Sequence, residues 1–350
     1  MRAAIAAFSS GFRRSSSSPD LTNAETASID SRELVLQPGR QVNDKEIDGA
    51  GGVYVVPRVP QLLGETANSR VIKATDRASG DPCALKIVLR SSFSSSPSLL
   101  ASLRAEAALA SSFPMQAHPN LCLPLKVSES RTRVVVELDC VLGGDLSSLL
   151  LTMGTRRWLD DTHPGRIVTA VLRALEFCHK NGIAHGDVKP ENVLLTRRPE
   201  RGTVRGGPFV TAPGCIYKLC DFGVSRLIPE GSRGAAGVAA GTKGYMAPEV
   251  AATGIMSRES DMWSAGALIY SVLTGEMLYD VDSVDAEKGF HASPKKWLRS
   301  LPRWKKIGRG WRKLISELLV VDPDERLTVG AALQAECLPG RQVEGSGKEE

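Results

Sequence analysis

The sequence predicts an α+β fold in two unequal parts, a small β-rich unit ahead of a larger helical one. Three observations carry this. From about Val53 to Val141, short apolar runs such as Arg70–Ala74, Ala84–Leu89 and Val134–Leu138 have the length and composition of strands. From about Gly143 onward the period lengthens: Ile167, Val168, Val171, Leu172 and Leu175 fall on one helix face, and Gly182 stands where a C-terminal cap belongs. Finally, Met262–Leu273 is apolar on nearly every side apart from Ser264 and Ser271, so that helix belongs at the centre of its domain.

Between the strand-like runs, Leu99–Ser111 is rich in Ala and Leu and reads as one helix inside the β-rich part. The expected organisation is an extension over 1–50, a small unit over 51–141, a helical unit over 142–338 and a polar tail over 339–350. Residues 1–50 are rich in Ser, Ala and Arg and show no apolar period, which fits an unstructured extension. The first 19 residues hold Arg2, Arg13, Arg14 and the block Ser15–Ser18 with no acid, which also fits an organelle-targeting peptide. A secretory signal is the weaker alternative, because the apolar stretch Ala3–Phe8 is short. A cytoplasmic location is the default.

At 350 residues the chain has room for about two folded units. Its 42% hydrophobic and 24% charged residues exclude a wholly disordered chain. No run of 18 apolar residues occurs, so no membrane-spanning helix is expected. The balance of 44 basic against 39 acidic residues, a net charge of +5, is too small to argue for nucleic-acid binding. Seven scattered cysteines without CxxC spacing argue against a disulfide scaffold or a zinc site.

The chemistry-bearing segments lie where the two parts meet. His185-Gly186-Asp187-Val188-Lys189-Pro190-Glu191-Asn192 follows a capped helix and precedes the apolar Val193–Leu195. Asp221-Phe222-Gly223 follows the strand-like Ile216–Cys220. With Ala84-Leu85-Lys86, Gly241-Thr242, Tyr245–Glu249, Asp261–Ser264, Asp322-Pro323 and Arg326, these segments occur in an order and at spacings that make a strong composite signal. Over about residues 58 to 335 the chain resembles the eukaryotic protein kinases of the Ser/Thr type. That resemblance implies a two-lobed fold with a cleft between the lobes, ATP and Mg2+ as cofactors, and a protein substrate.

The resemblance also implies roles. Asp187 would orient the substrate hydroxyl and accept its proton, and Lys189 would set positive charge against the transferring phosphate. Asn192 and Asp221 would offer oxygen ligands to magnesium. Lys86 would contact the α- and β-phosphates and pair with Glu106, the only acid in its helix. The adenine would lie between Val71 and Ala84 on one side and Leu194 on the other. Leu138 would guard the back of the pocket, Asp139 and Val141 would offer backbone groups, and Asp145 would reach the ribose. Gly64, Thr66 and Ser69 would cover the phosphates. Asp145 and Glu191 also match positions that, in basic-directed relatives, receive an Arg of the substrate.

Three departures stand out. Only Gly64 remains of three expected glycines in the phosphate loop, where Thr66 adds a branched Cβ. This keeps a pseudokinase scaffold with weak nucleotide binding as the alternative reading. A kinase-fold enzyme for a small molecule or lipid is disfavoured by the Gly241–Glu249 segment, which shapes a peptide ledge in the family. Gly186 replaces an Arg that in many relatives pairs with an activation-loop phosphate, so activity is expected not to depend on such a phosphate. Residues 196–215, rich in Gly, Pro and Arg, form an insertion expected as a surface loop.

Residues 288–313 hold ten Lys or Arg, no acid, and Trp297, Trp304 and Trp311. They fit either a docking patch for an acidic partner, nucleic acid or an anionic membrane, or a solvated face whose tryptophans pack inward. Trp304 is expected ahead of a helix over Leu314–Val320, and Glu249 with Arg326 is expected as a buried ion pair.

Overall fold

A computed structural model describes residues 44–49, 52–65, 69–90, 103, 106, 118–129, 132–153, 162–197, 200–201, 209–210, 214–236 and 241–339. They divide into two compact units. One takes the described residues up to Glu106 together with Leu123–Cys140; the other takes His118–Cys122 and those from Val141 onward.

The first unit is a seven-stranded antiparallel sheet. Its strands are β1 (Asp44–Gly49), β2 (Gly52–Pro57), β3 (Leu62–Glu65), β4 (Ser69–Asp76), β5 (Pro82–Leu89), β6 (Pro124–Glu129) and β7 (Arg133–Asp139). The order is β1-β2-β4-β5-β7-β6, and β4 is shared: its end pairs with β2 and its start with β3. Alternation along β5 sorts the core. Leu85 and Ile87 join Tyr54, Val56, Ile72 and Val135 in one cluster, while Val88 joins Leu103, Val134 and Val136 in another. A polar network ties four strands together: the Tyr54 hydroxyl donates to Glu137 Oε2 at 2.7 Å, and Lys126 Nζ lies 3.3 Å from Asp76 and 3.4 Å from Glu137. Burial is the main reason the Tyr54 hydroxyl is held well above its ordinary pKa.

Strand β1 falls within the 1–50 stretch read as an extension. Its sequence, DKEIDG, has no apolar run, but main-chain pairing such as Ile47 with Tyr54 needs none. The remainder of that extension, most of the expected helix at 99–111 and the tail from 340 lie outside the described residues. Leu103 and Glu106, from that expected helix, are both helical and buried.

The second unit is built on α1 (Leu146–Met153), α2 (Thr162–Lys180), α3 (Pro248–Thr253), α4 (Arg258–Thr274), α5 (Val284–Ala292), α6 (Pro294–Ser300), α7 (Arg309–Leu318) and α8 (Val329–Ala332). On α2, Ile167, Val168, Val171, Leu172 and Leu175 are all buried, and Gly182 takes the left-handed φ of +72° just beyond it. Helix α4 is buried along nearly its whole length, capped at one end by a reciprocal Ser257–Ser260 box and at the other by Gly275. Helix α7 begins at Arg309, earlier than expected. Its apolar face of Trp311, Leu314, Ile315 and Leu318 is broken in sequence by Arg312 and Lys313, which hides the first turn from a reading of apolar runs.

Short strand pairs join the helices: β8 (Ile183–Ala184) with β13 (Arg226–Leu227), β9 (Val193–Leu195) with β12 (Tyr217–Leu219), and β14 (Ala235–Ala236) with β15 (Ile255–Met256). Within the insertion, β10 (Glu200–Arg201) pairs with β11 (Phe209–Val210), so part of the expected loop is a small ladder. The rest of 198–213 is outside the described residues.

Candidate active site

In the sheet unit the pairing register gathers several of the expected residues. Lys86 stands opposite Val71 on one side and Val136 on the other, Ala84 opposite Leu138, and Ser69 opposite Val88. Directly paired residues share a face and side chains alternate along a strand. Ser69, Val71, Ala84, Lys86 and Leu138 therefore share one face of the sheet. On that face Lys86 Nζ lies 2.7 Å from Glu106 Oε1, with the carboxylate side chain only 4% exposed. Gly64 pairs with Val71, and a Cβ there would meet only Val71 atoms at 4.0 Å, so this position tolerates a side chain. Thr66 lies outside the described residues. Asp139, at the end of β7, pairs with Cys83, whose thiol is pushed up to about 12, mainly by burial.

In the helical unit a 3-10 turn, Pro190–Asn192, leads straight into β9. Because β9 and β12 run antiparallel with Val193 opposite Leu219, Asn192 comes beside Cys220, whose N–H donates to the Asn192 carbonyl at 2.9 Å. Asp221 is the next residue. Its φ of +65° is the only positive value on a non-glycine residue among those described, strain of the kind that collects at functional sites.

Asp187 is the hub of the cluster. Its Oδ1 accepts from the Thr242 hydroxyl at 2.8 Å, and its Oδ2 lies 2.6 Å from Lys189 Nζ and 3.0 Å from Asn192 Nδ2. Asn192 Nδ2 also donates to the Asp187 carbonyl, and Lys189 to Thr242 Oγ1 at 2.6 Å. The Asp187 side chain is 13% exposed, open enough to meet a reactant. With the Asn192 amide nitrogen engaged, its Oδ1 takes no protein partner among the described residues.

Two supports hold this loop. Asp261, buried on α4, accepts from the His185 and Gly186 N–H groups and lies 2.8 Å from His179 Nε2, so the buried carboxylate is compensated three ways. His185, fully buried, sets its ring edge-on to Phe222 at 4.8 Å and lies 3.1 Å from the Cys220 carbonyl. No local pattern exposes the partnership of Asp261 with residues 75 and 76 positions away. Thr242 was legible as part of a matching segment, but not its contact with Asp187.

The remaining expected residues fall as follows. Val141 is buried, and Leu194 is half-buried and bridges to Asp145. Both Asp145 oxygens are engaged by Ser148, its N–H and its hydroxyl each at 2.7 Å, so this carboxylate acts as the cap of α1. Glu191 is held above the ordinary carboxylate range, chiefly by desolvation, and accepts a long 3.4 Å contact from Ser147.

Gly186 has φ of +82°, and a Cβ there would come within 2.7 Å of Met256 Sδ. Met256 is on β15, which pairs with β14. Of the four hydroxyls noted between Asp221 and Glu249, Ser225 donates to the His185 carbonyl, Thr242 is bound in the cluster and Tyr245 is buried against Ser271. Ser232 is exposed.

The family model for the protein kinase domain matches residues 58–338. The chain is similar to CBL-interacting protein kinase 16 of Oryza sativa subsp. japonica, 30% identical over 83% of this chain and 58% of that protein. It is similar to serine/threonine-protein kinase dkf-1 of Caenorhabditis elegans, 30% identical over 81% of this chain and 36% of that protein. Against calcium/calmodulin-dependent protein kinase type IV of Mus musculus the identity is 26%, over 92% of this chain and 62% of that protein. The chain thus spans between about a third and three fifths of the length of these relatives. A match from residue 58 to residue 338 takes in both structural units and every segment gathered around Asp187: this chain belongs to the protein kinase domain family.

Proposed function

We propose that the chain is a serine/threonine protein kinase that transfers the terminal phosphate of ATP to hydroxyls of protein substrates. The observation that carries this reading is the cluster on Asp187, where one carboxylate is held by Lys189, Asn192 and Thr242. Asp187 takes the proton of the attacking hydroxyl, and Lys189 keeps positive charge beside the reacting oxygens. Thr242 and Asn192 hold the Asp187 carboxylate in one orientation, so no reorganisation is needed when a substrate arrives.

The oxygen donors present suit a hard cation. Asn192 Oδ1 and the Asp221 carboxylate would hold Mg2+, which would shield phosphate charge there. Lys86, fixed by Glu106, is assigned to the α- and β-phosphates of ATP, and the apolar Val71, Ala84, Leu138 and Leu194 to its base. Bound together, ATP and Mg2+ supply the phosphoryl group and the shielding of its charge.

The reading extends to regulation. Gly186 leaves no Arg beside Asp187 to receive an activation-loop phosphate, and β14 is tied instead by main-chain pairing to β15. The segment is therefore held without a phosphate. The test is incubation of the purified chain with γ-labelled ATP, magnesium and a generic basic protein, followed by phosphoamino-acid analysis. Label on serine or threonine, unchanged after phosphatase pretreatment of the chain, is expected. Label on tyrosine alone would overturn the substrate class. No transfer, with nucleotide still raising the melting temperature, would favour the scaffold reading.

A further inference from the structure

Away from the Asp187 cluster, the helical unit carries an open cavity of about 390 Å3 walled by cations. Lys295 and Arg299 come from α6, one turn apart. Arg309, Arg312 and Lys313 come from one face of α7, with Ser316 a turn further on and Trp304 at the back. Among the described residues none of these five cations has a carboxylate within ion-pair distance, whereas the neighbouring Arg303 is paired with Glu276 at 2.6 Å. Arg312 Nε is buried without a hydrogen-bond partner.

The arrangement runs against local helix electrostatics. The first turn of α7 has no acid, and Gly308 offers its N–H groups no side-chain cap, yet Arg309, Arg312 and Lys313 crowd that end. Cations there face the positive end of the helix dipole. A site that breaks a local rule without internal compensation is where function is to be sought. An anion seated among these side chains supplies the missing compensation.

We propose that this cavity binds a segment of a partner protein carrying phosphoserine or phosphothreonine. Three guanidinium groups with forked donors suit a phosphate better than scattered carboxylates. The volume matches a compact anion with a few flanking residues. Trp304 and Trp311 are buried, so neither presents a face on which a nucleic-acid base could stack. No large apolar side chain between 295 and 316 is exposed for insertion into a bilayer. The inference goes beyond the phosphoryl-transfer reading and stands without it, because binding here requires no turnover.

The experiment is fluorescence anisotropy of the full chain with a labelled Gly/Ala/Ser peptide carrying two phosphoserines. The unphosphorylated peptide, phosphoinositide-containing vesicles and single-stranded DNA serve as comparison arms. The phosphopeptide is expected to bind, less tightly as salt rises, and the unphosphorylated peptide not to bind. The exposed pair Arg299→Gln/Lys313→Gln should melt as the parent chain does and bind roughly tenfold more weakly or worse, about the effect of losing one charge-assisted hydrogen bond. Asp187→Asn should bind the peptide as the parent chain does, which separates failure here from failure of the transfer reading. Equal binding with and without phosphate, undiminished binding by the double variant, or tighter binding of vesicles or DNA than of the phosphopeptide would each overturn the proposal.

Discussion

At the scale of single residues, the Arg326 guanidinium is completely buried and every one of its donors is used. It is forked onto Glu249 at 2.7 and 3.0 Å, donates to the Val320, Glu259 and Val321 carbonyls, and lies 5.2 Å over the Trp263 ring. Truncation would leave Glu249 and three carbonyls without their donor. Arg326→Ala is therefore expected to destabilise the chain by about 3–5 kcal/mol, read as a large fall in the urea midpoint. An unchanged midpoint would contradict the account of that ion pair. Gly186 is sensitive for a different reason: a side chain would sit at φ +82° and press on Met256. Gly186→Ala should cost roughly 1–3 kcal/mol from backbone strain alone, measured the same way. The residue types at both positions were readable from sequence through their motifs. The contact with Met256, 70 residues further on, was not.

The elements differ in how plainly they were written. Helices α2 and α4 were legible because one has a clean apolar face and the other is apolar all round. Strand β1 was hidden by its polar sequence, and the β10–β11 ladder by strands of two residues, too short to show a period. The first turn of α7 was masked by its own cations. The three tryptophans of the basic stretch follow the inward-packing alternative: Trp304 and Trp311 are buried, and Trp297 donates to the Leu278 carbonyl at 2.7 Å. Most of the cations around them are exposed, while Arg303 and Arg312 are half-buried. The proposed independence from loop phosphorylation is tested at the β14–β15 pair. If it holds the activation segment unaided, Ser232→Ala should leave the transfer rate unchanged, and a large loss in a steady-state assay would show that a phosphate is needed there. The Ser257 cap of α4 gives a second check: Ser257→Ala should lower stability by about 1 kcal/mol.

For the molecule as a whole, two half-buried histidines are expected to set an acid limit. Burial holds His118 and His291 below the ordinary value of 6.5, His118 with help from nearby Arg173. When the chain unfolds, both recover the ordinary value and take up protons as the pH drops. The folded state then binds fewer protons than the unfolded one, so stability is complete above about pH 6.5 and declines as the pH falls through it. Melting temperature should decrease between about pH 7 and pH 5.5, and His291→Gln, which cannot titrate, should make the decrease shallower. An identical slope in that variant would remove His291 from the explanation.

The most direct measurement is the single-turnover rate of γ-phosphate transfer to a basic protein by the parent chain and by Asp187→Asn, each with saturating Mg-ATP. Both proteins should show the same nucleotide-induced rise in melting temperature, because Asp187 is assigned to the hydroxyl and not to nucleotide. The rate of the variant should fall by roughly 10²–10⁴-fold. Equal rates, or no transfer by a parent chain that still binds Mg-ATP, would contradict the assignment of Asp187 and of the cluster built around it.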